Sequence, residues 1–171
     1  MAVIERLIAD ASYVEITERK ERLGRDLHAQ AYFFNKRRVF IISAVSGSYE
    51  TGTPSVLPEA VSDEELGRVI CDHLLEFDIK TPSGLNFRKM TEWPVFVASG
   101  ASSVASFQSQ SWGIAVTTIG DNSVHVDVSP MKGLHPEITV AGVARPKHVD
   151  VGAVTKRALA GAIALRDKAV I

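Results

Sequence analysis

Val61-Ser-Asp-Glu-Glu-Leu-Gly-Arg-Val-Ile-Cys-Asp-His-Leu-Leu-Glu-Phe77 decides the fold. Leu66, Val69, Ile70, Leu74 and Phe77 recur at helical spacing and fall on one side, so the stretch reads as an amphipathic helix. Ser62 suits the cap position, where its hydroxyl accepts a free backbone N–H. Asp63, Glu64 and Glu65 follow in the first turn, where the helix dipole favours negative charge. An echo lies near the end of the chain. Asp150-Val151-Gly152-Ala153-Val154 repeats the order of Glu65-Leu66-Gly67-Arg68-Val69, and Leu159 then matches Leu74. A glycine inside a helix costs about 1 kcal/mol relative to alanine. Two at matched places imply two helices packed closely on something flat, most simply a sheet. The inward set is then Leu66, Val69, Leu74, Phe77, Val151, Val154 and Leu159.

The 171 residues suit one domain over 1–171 with a sizeable core. Apolar residues make up 46% and charged residues 23%, an ordinary balance for a globular protein. The net charge of -1 supplies no global basic field of the kind that nucleic-acid binders use. One cysteine, Cys71, excludes an internal disulfide and fits a reducing compartment. The start Met-Ala-Val-Ile-Glu-Arg places charge where a signal peptide needs an apolar run, and no stretch is long enough to span a bilayer. The expected location is cytoplasmic. Charge is uneven: between Glu59 and Asp78 there are seven acidic residues against Arg68, while 18–38 and 145–168 are net basic. Such runs are commonly solvated faces; the sharper reading is an acidic helix face that meets a basic partner.

Outward from the helix, Leu27–Phe34 and Val39–Val45 read as strands of a hairpin around Asn35-Lys36-Arg37-Arg38. Phe33, Phe34, Phe40, Ile41 and Ile42 place it in the middle of a sheet. Gly113–Ile119 and Ser123–Ser129 form a second hairpin around Gly120-Asp121-Asn122, and Ile138–Ala144 is a further strand. Trp93–Ala98 reads as a strand, followed by a short helix with Val104 and Phe107 on one side. The last helix opens at Val149 or Asp150, after Pro146, and runs to about Leu165. Before the first hairpin, Val3–Ala9 suggests a short helix, 12–17 a strand and 18–26 a turn. Residues 46–58 and 78–92, broken by Pro and Gly, read as loops. The order implies an α/β (α+β) single domain with a mixed or antiparallel central sheet flanked by helices.

Chemistry-bearing motifs are sparse. His125, Asp127 and Ser129 share one face of a strand whose other face carries Val124, Val126 and Val128. A His and a carboxylate on one face could be half of a hydrolytic or metal site, but period-two alternation alone predicts a solvent face. His135 and His148 sit in Pro-containing loops without ligand spacing, and His73 reads as a partly buried packing residue. Acidic neighbours would raise, not lower, the pKa of Cys71, so a structural thiol is expected. Gly100-Ala-Ser-Ser lacks the second Gly and the Lys of a phosphate loop. Residues 36–38 read as a solvated hairpin tip more than a nucleic-acid surface.

Three landmarks occur in order: a Pro-containing loop before the Ser62–Gly67 helix start, a hairpin ending in Val126-Asp-Val-Ser-Pro130, and a basic, Ala-rich helix begun by Val149-Asp-Val-Gly152. Together they resemble the immunity proteins of bacterial contact-dependent growth inhibition systems, over roughly residues 55–165. The resemblance implies a non-enzymatic cytoplasmic protein that forms a one-to-one complex with a cognate toxin domain, commonly a nuclease acting on tRNA. It implies no cofactor or metal, no direct contact with nucleic acid and no membrane. A nuclease must attract phosphate and tends to be basic, so an acidic inhibitor surface would speed its association. Glu59, Asp63, Glu64, Asp72, Glu76 and Asp78 are the expected partner-binding residues. The rivals are a small hydrolase or nuclease using His125 and Asp127, and a structural subunit of a larger assembly.

Overall fold

The computed structural model describes residues 11–47, 49–78, 89–120, 123–132, 139–144 and 147–169. Six strands form one sheet: β1 (His28–Phe34), β2 (Val39–Ser46), β3 (Tyr49–Pro58), β4 (Ser111–Ile119), β5 (Ser123–Pro130) and β6 (Thr139–Ala144). Their spatial order is β3-β2-β1-β4-β5-β6 and every described pairing is antiparallel. The helices are α1 (Ala11–Leu23), α2 (Asp63–Leu75), α3 (Pro94–Ser99), α4 (Val104–Ser109) and α5 (His148–Ala169). The domain is therefore α+β, with the first hairpin central in the sheet as expected.

Two apolar cores lie on opposite faces of the sheet. On one, Ala31, Phe33, Phe40, Ile42, Ile114, Val126 and Val128 meet Leu66, Ile70 and Leu74 of α2 and Val151, Val154 and Ala158 of α5. The whole inward set expected from the two helices is buried. On the other, Tyr32, Phe34 and Ile41 meet Trp93, Val95 and Phe107. The central strands are covered on both faces where they face each other, so Ala31–Phe34 of β1 and Phe40–Ser46 of β2 are buried without alternation. β4 and β5 alternate buried with half-buried residues instead, the pattern of strands covered on one face.

The matched glycines do more than sit on a sheet: they mark where α2 crosses α5. A Cβ on Gly67 would fall 2.9 Å from the backbone nitrogen of Gly152 and closer still to the carbonyl of His148. One on Gly152 would strike the backbone of Asp63. The helices touch backbone to backbone, which only glycine permits. Ser62 caps α2 as expected, its hydroxyl accepting the Glu65 N–H at 3.1 Å.

The structure corrects five local expectations. Residues 12–17 are no strand and 18–26 mostly no turn; α1 runs through both. Its Glu, Lys, Arg and Leu residues favour helix, with Ile16 and Leu23 seven apart on the core side. Gly24, at φ +67°, ends it. Residues 46–58 are mostly strand β3, whose prolines are tolerated because it is an edge strand. Trp93–Ala98 is not a strand: Pro94 begins a helix there and Gly100, left-handed at φ +65°, closes it. His148 is not in a loop but opens α5. The expected helix at 3–9, the hairpin tip at 121–122, His135, Pro146 and residues 79–88 of the expected loop lie outside the described residues.

Candidate functional site

The acidic stretch lies on the outward side of α2 and its two flanks. With Leu66, Val69 and Leu74 buried, Glu64, Asp72 and Glu76 are exposed, and Glu59 and Asp63 are half-buried. Most of these carboxylates have internal partners. Glu59 pairs with Arg38 of the hairpin turn, Asp63 with Lys156 of α5 at 2.9 Å, and Asp72 with Arg68 at 2.9 Å. Arg68 also chelates Glu65 and holds that carboxyl below the usual range. Asp78 turns inward, accepting the Gly47 N–H at 2.8 Å and pairing with Arg25. Glu64 has no ion pair among the described residues, and Glu76 lies 3.7 Å from the His73 ring. The expected partner-binding carboxylates therefore divide, and among the described residues those without an Arg or Lys partner are Glu64 and Glu76.

His73 is buried, as a packing residue, with Nε2 2.9 Å from the Ser55 hydroxyl. Burial pushes its pKa down, against the opposing pull of Glu76 and Asp72. Cys71 is buried too.

The His125–Asp127 face does point away from the valines, which are buried. Cross-strand register sets His28, Thr117 and His125 in one row and Gln30, Ala115 and Asp127 in the next. Burial lowers the pKa of His28, against a hydrogen bond with the Val116 backbone and the opposing pull of the Asp127 carboxylate. His28 Nδ1 lies 3.0 Å from the Thr117 hydroxyl, while the His125 ring lies over Gly142, with its atoms 3.4–3.6 Å from where a Cβ would stand. Among the described residues, no group of three His, Cys, Asp or Glu side chains could hold a metal ion. The basic hairpin tip is exposed, yet Arg37 donates to the Ser99 carbonyl at 2.9 Å and Arg38 to Glu59.

Sequence reasoning missed one buried polar cluster. The Glu50 carboxylate accepts from the Tyr32 hydroxyl and from Trp93 Nε1 at 2.6 Å. The enclosure pushes its pKa up, outweighing the two hydrogen bonds. Glu50 in turn helps to raise the Tyr32 hydroxyl, for which burial is the main cause. Trp93 lies 43 positions from Glu50, and no local pattern joins them. A cleft of about 280 Å³ also opens beside the first hairpin, where the Arg166 guanidinium sits 5.4 Å above the Trp112 ring between Asn35 and Gln110.

No family model matches the chain, and no curated protein matches it. A solved structure from Neisseria meningitidis, described as "Protein of Unknown Function NMB0488", superposes with a TM-score of 0.56 at 16% identity, covering 80% of this chain and 94% of that one. At that identity the likeness shows a shared fold. No helix among the described residues is long and apolar enough to cross a membrane.

Proposed function

We propose that this chain is an immunity protein of a contact-dependent growth inhibition system, acting in the cytoplasm. It binds a cognate toxin domain, a nuclease such as a tRNase, in a one-to-one complex and neutralises it without catalysis. The observation that carries this reading is the division of labour in α2. Its inner face is anchored in the core by Leu66, Ile70 and Leu74, and its outer face presents Glu64, Asp72 and Glu76 to solvent. A rigid, acidic helix face suits a basic, phosphate-attracting partner. The resemblance at Ser62–Gly67, 126–130 and 149–152 supports it as well, since two of those landmarks are the helix starts that cross at Gly67 and Gly152.

The test mixes the purified chain with the toxin domain encoded beside its gene. A stoichiometric complex by light scattering, and tRNA cleavage suppressed in step with added chain, are expected. No complex and unimpeded cleavage would refute the proposal. The enzyme alternative predicts that the chain alone turns over a substrate and that His125→Ala or Asp127→Ala abolishes protection. On the present reading both variants protect fully.

A further inference from the structure

We propose that β6 is a dimerisation edge, through which two copies of this chain join antiparallel so that their sheets run on as one. The outward N–H and C=O groups along a strand edge are free to pair with another strand. β6 pairs with β5 on one side, and no described strand pairs with the other. Its sequence, Thr-Val-Ala-Gly-Val-Ala, contains no charge and no proline, and Gly142 and Ala144 are exposed. Such an edge is a template for another strand.

The opposite edge shows how this protein blocks pairing where it is unwanted. β3 carries Pro54 and Pro58, a left-handed Gly52 at φ +76°, and a register shift opposite Ile42 and Ala44. These are the devices that prevent edge-to-edge association, and β6 has none of them.

The occupant that fits is a second copy. A two-fold axis normal to the sheet through Gly142 sets Ala141 opposite Val143, and Val140 opposite Ala144. β6 contains no charged residue, so no like charges oppose each other along the shared edge. α5 adds a complementary flank. It lies over β5 and β6, with α2 against its Gly152 side and the sheet against Val151, Ala158 and Ala162. At 100° per residue, Arg157 and Asp150, one of whose carboxylate oxygens accepts the Lys147 N–H at 2.9 Å, then fall on the side away from α2, towards the β6 edge. In the dimer the two α5 helices run antiparallel, so Asp150 of each copy can face Arg157 of the other. The contact is isologous and consumes both open edges. Only the defended β3 edges remain, so assembly stops at two. None of this rests on the toxin reading.

The experiment uses the full chain in analytical ultracentrifugation and in hydrogen exchange at low and high concentration. A reversible dimer is expected, with amides of 139–144 exchanging about ten-fold or more slowly at high concentration. Ala144→Lys and Arg157→Glu, both at exposed positions, should each weaken the dimer about ten-fold or more, with circular dichroism unchanged. A chain that stays monomeric to near-millimolar concentration overturns the proposal. So does a dimer whose β6 amides exchange equally at both concentrations, a measurement on the wild-type chain that stands even if a variant misfolds.

Discussion

Gly67 of α2 and Gly152 of α5 meet backbone to backbone, and the crossing leaves no room for a methyl group on either. Two effects oppose each other when alanine replaces Gly67. Helix propensity gains about 1 kcal/mol. The new Cβ, however, overlaps main-chain atoms of His148 and Gly152, which cannot swing aside as a side chain would. Overpacking of that kind costs about 1–3 kcal/mol and more against rigid backbone. Gly67→Ala and Gly152→Ala should therefore each destabilise by about 2 kcal/mol or more in urea unfolding. A stabilised variant would mean that the helices sit further apart.

Leu74 tests the first core and Phe107 the second. Leu74 is fully buried between α2 and the sheet, and its truncation to alanine should cost about 2–5 kcal/mol. Phe107 is the hub of the other face, with ring centroids 5.3–5.9 Å from Trp93, Phe34 and Tyr32. Phe107→Ala should cost about 3–5 kcal/mol. The cores lie on opposite faces of the sheet, so the two losses should add in the double variant to within about 0.5 kcal/mol. Either single loss below about half a kcal/mol would remove that residue from its core.

Glu50 should give stability an unusual pH dependence. Enclosure raises its folded-state pKa above the unfolded value. Between the two values the folded state holds a proton that the unfolded state has released, so stability falls as pH rises through that window. Its contribution is full below the ordinary glutamate value and lost above the raised one. Glu50→Gln cannot titrate, yet keeps an acceptor for Tyr32. The gap in Tm between wild type and variant should shift in favour of the variant as pH rises from about 4 to 7. A gap that stays constant would mean that Glu50 titrates alike in both states.

Much of the first face was legible because its signals are local. The α2 periodicity, the Ser62 cap and the apolar runs of β1 and β2 each lie within one short window, and the paired glycines announced a close approach without saying what approaches. The second face was legible only in part: the short helix carrying Val104 and Phe107 is α4, as expected, but α3 is only six residues long, too short to show a period. The apolar run 93–98 therefore looked like a strand, although Pro94 and Gly100 were the available signs of a helix start and stop. β3 was hidden by the prolines that protect it. In the acidic patch, charge was readable and charge compensation was not, because Arg38 and Lys156 come from elements distant in sequence.

That compensation sharpens the prediction for the partner surface. Glu59, Asp63 and Asp72 are tied to cations, and Asp78 is turned inward, so their reversal would disturb local pairs as well as the long-range field. Glu64 and Glu76 are exposed and free of Arg or Lys partners among the described residues. If a basic nuclease docks on α2, these two carry most of the steering. Rim charges act chiefly on the association rate and its salt dependence, whereas removing one side of a buried charge pair costs about 2–5 kcal/mol. The double variant Glu64→Lys, Glu76→Lys should slow association by about ten-fold at low salt and flatten its dependence on ionic strength. Dissociation and the unfolding midpoint should barely move. Stopped-flow association at about 20 and 300 mM salt separates the outcomes, since a Debye length of roughly 20 Å contracts to about 6 Å over that range. An unchanged rate and slope would move the docking site off α2.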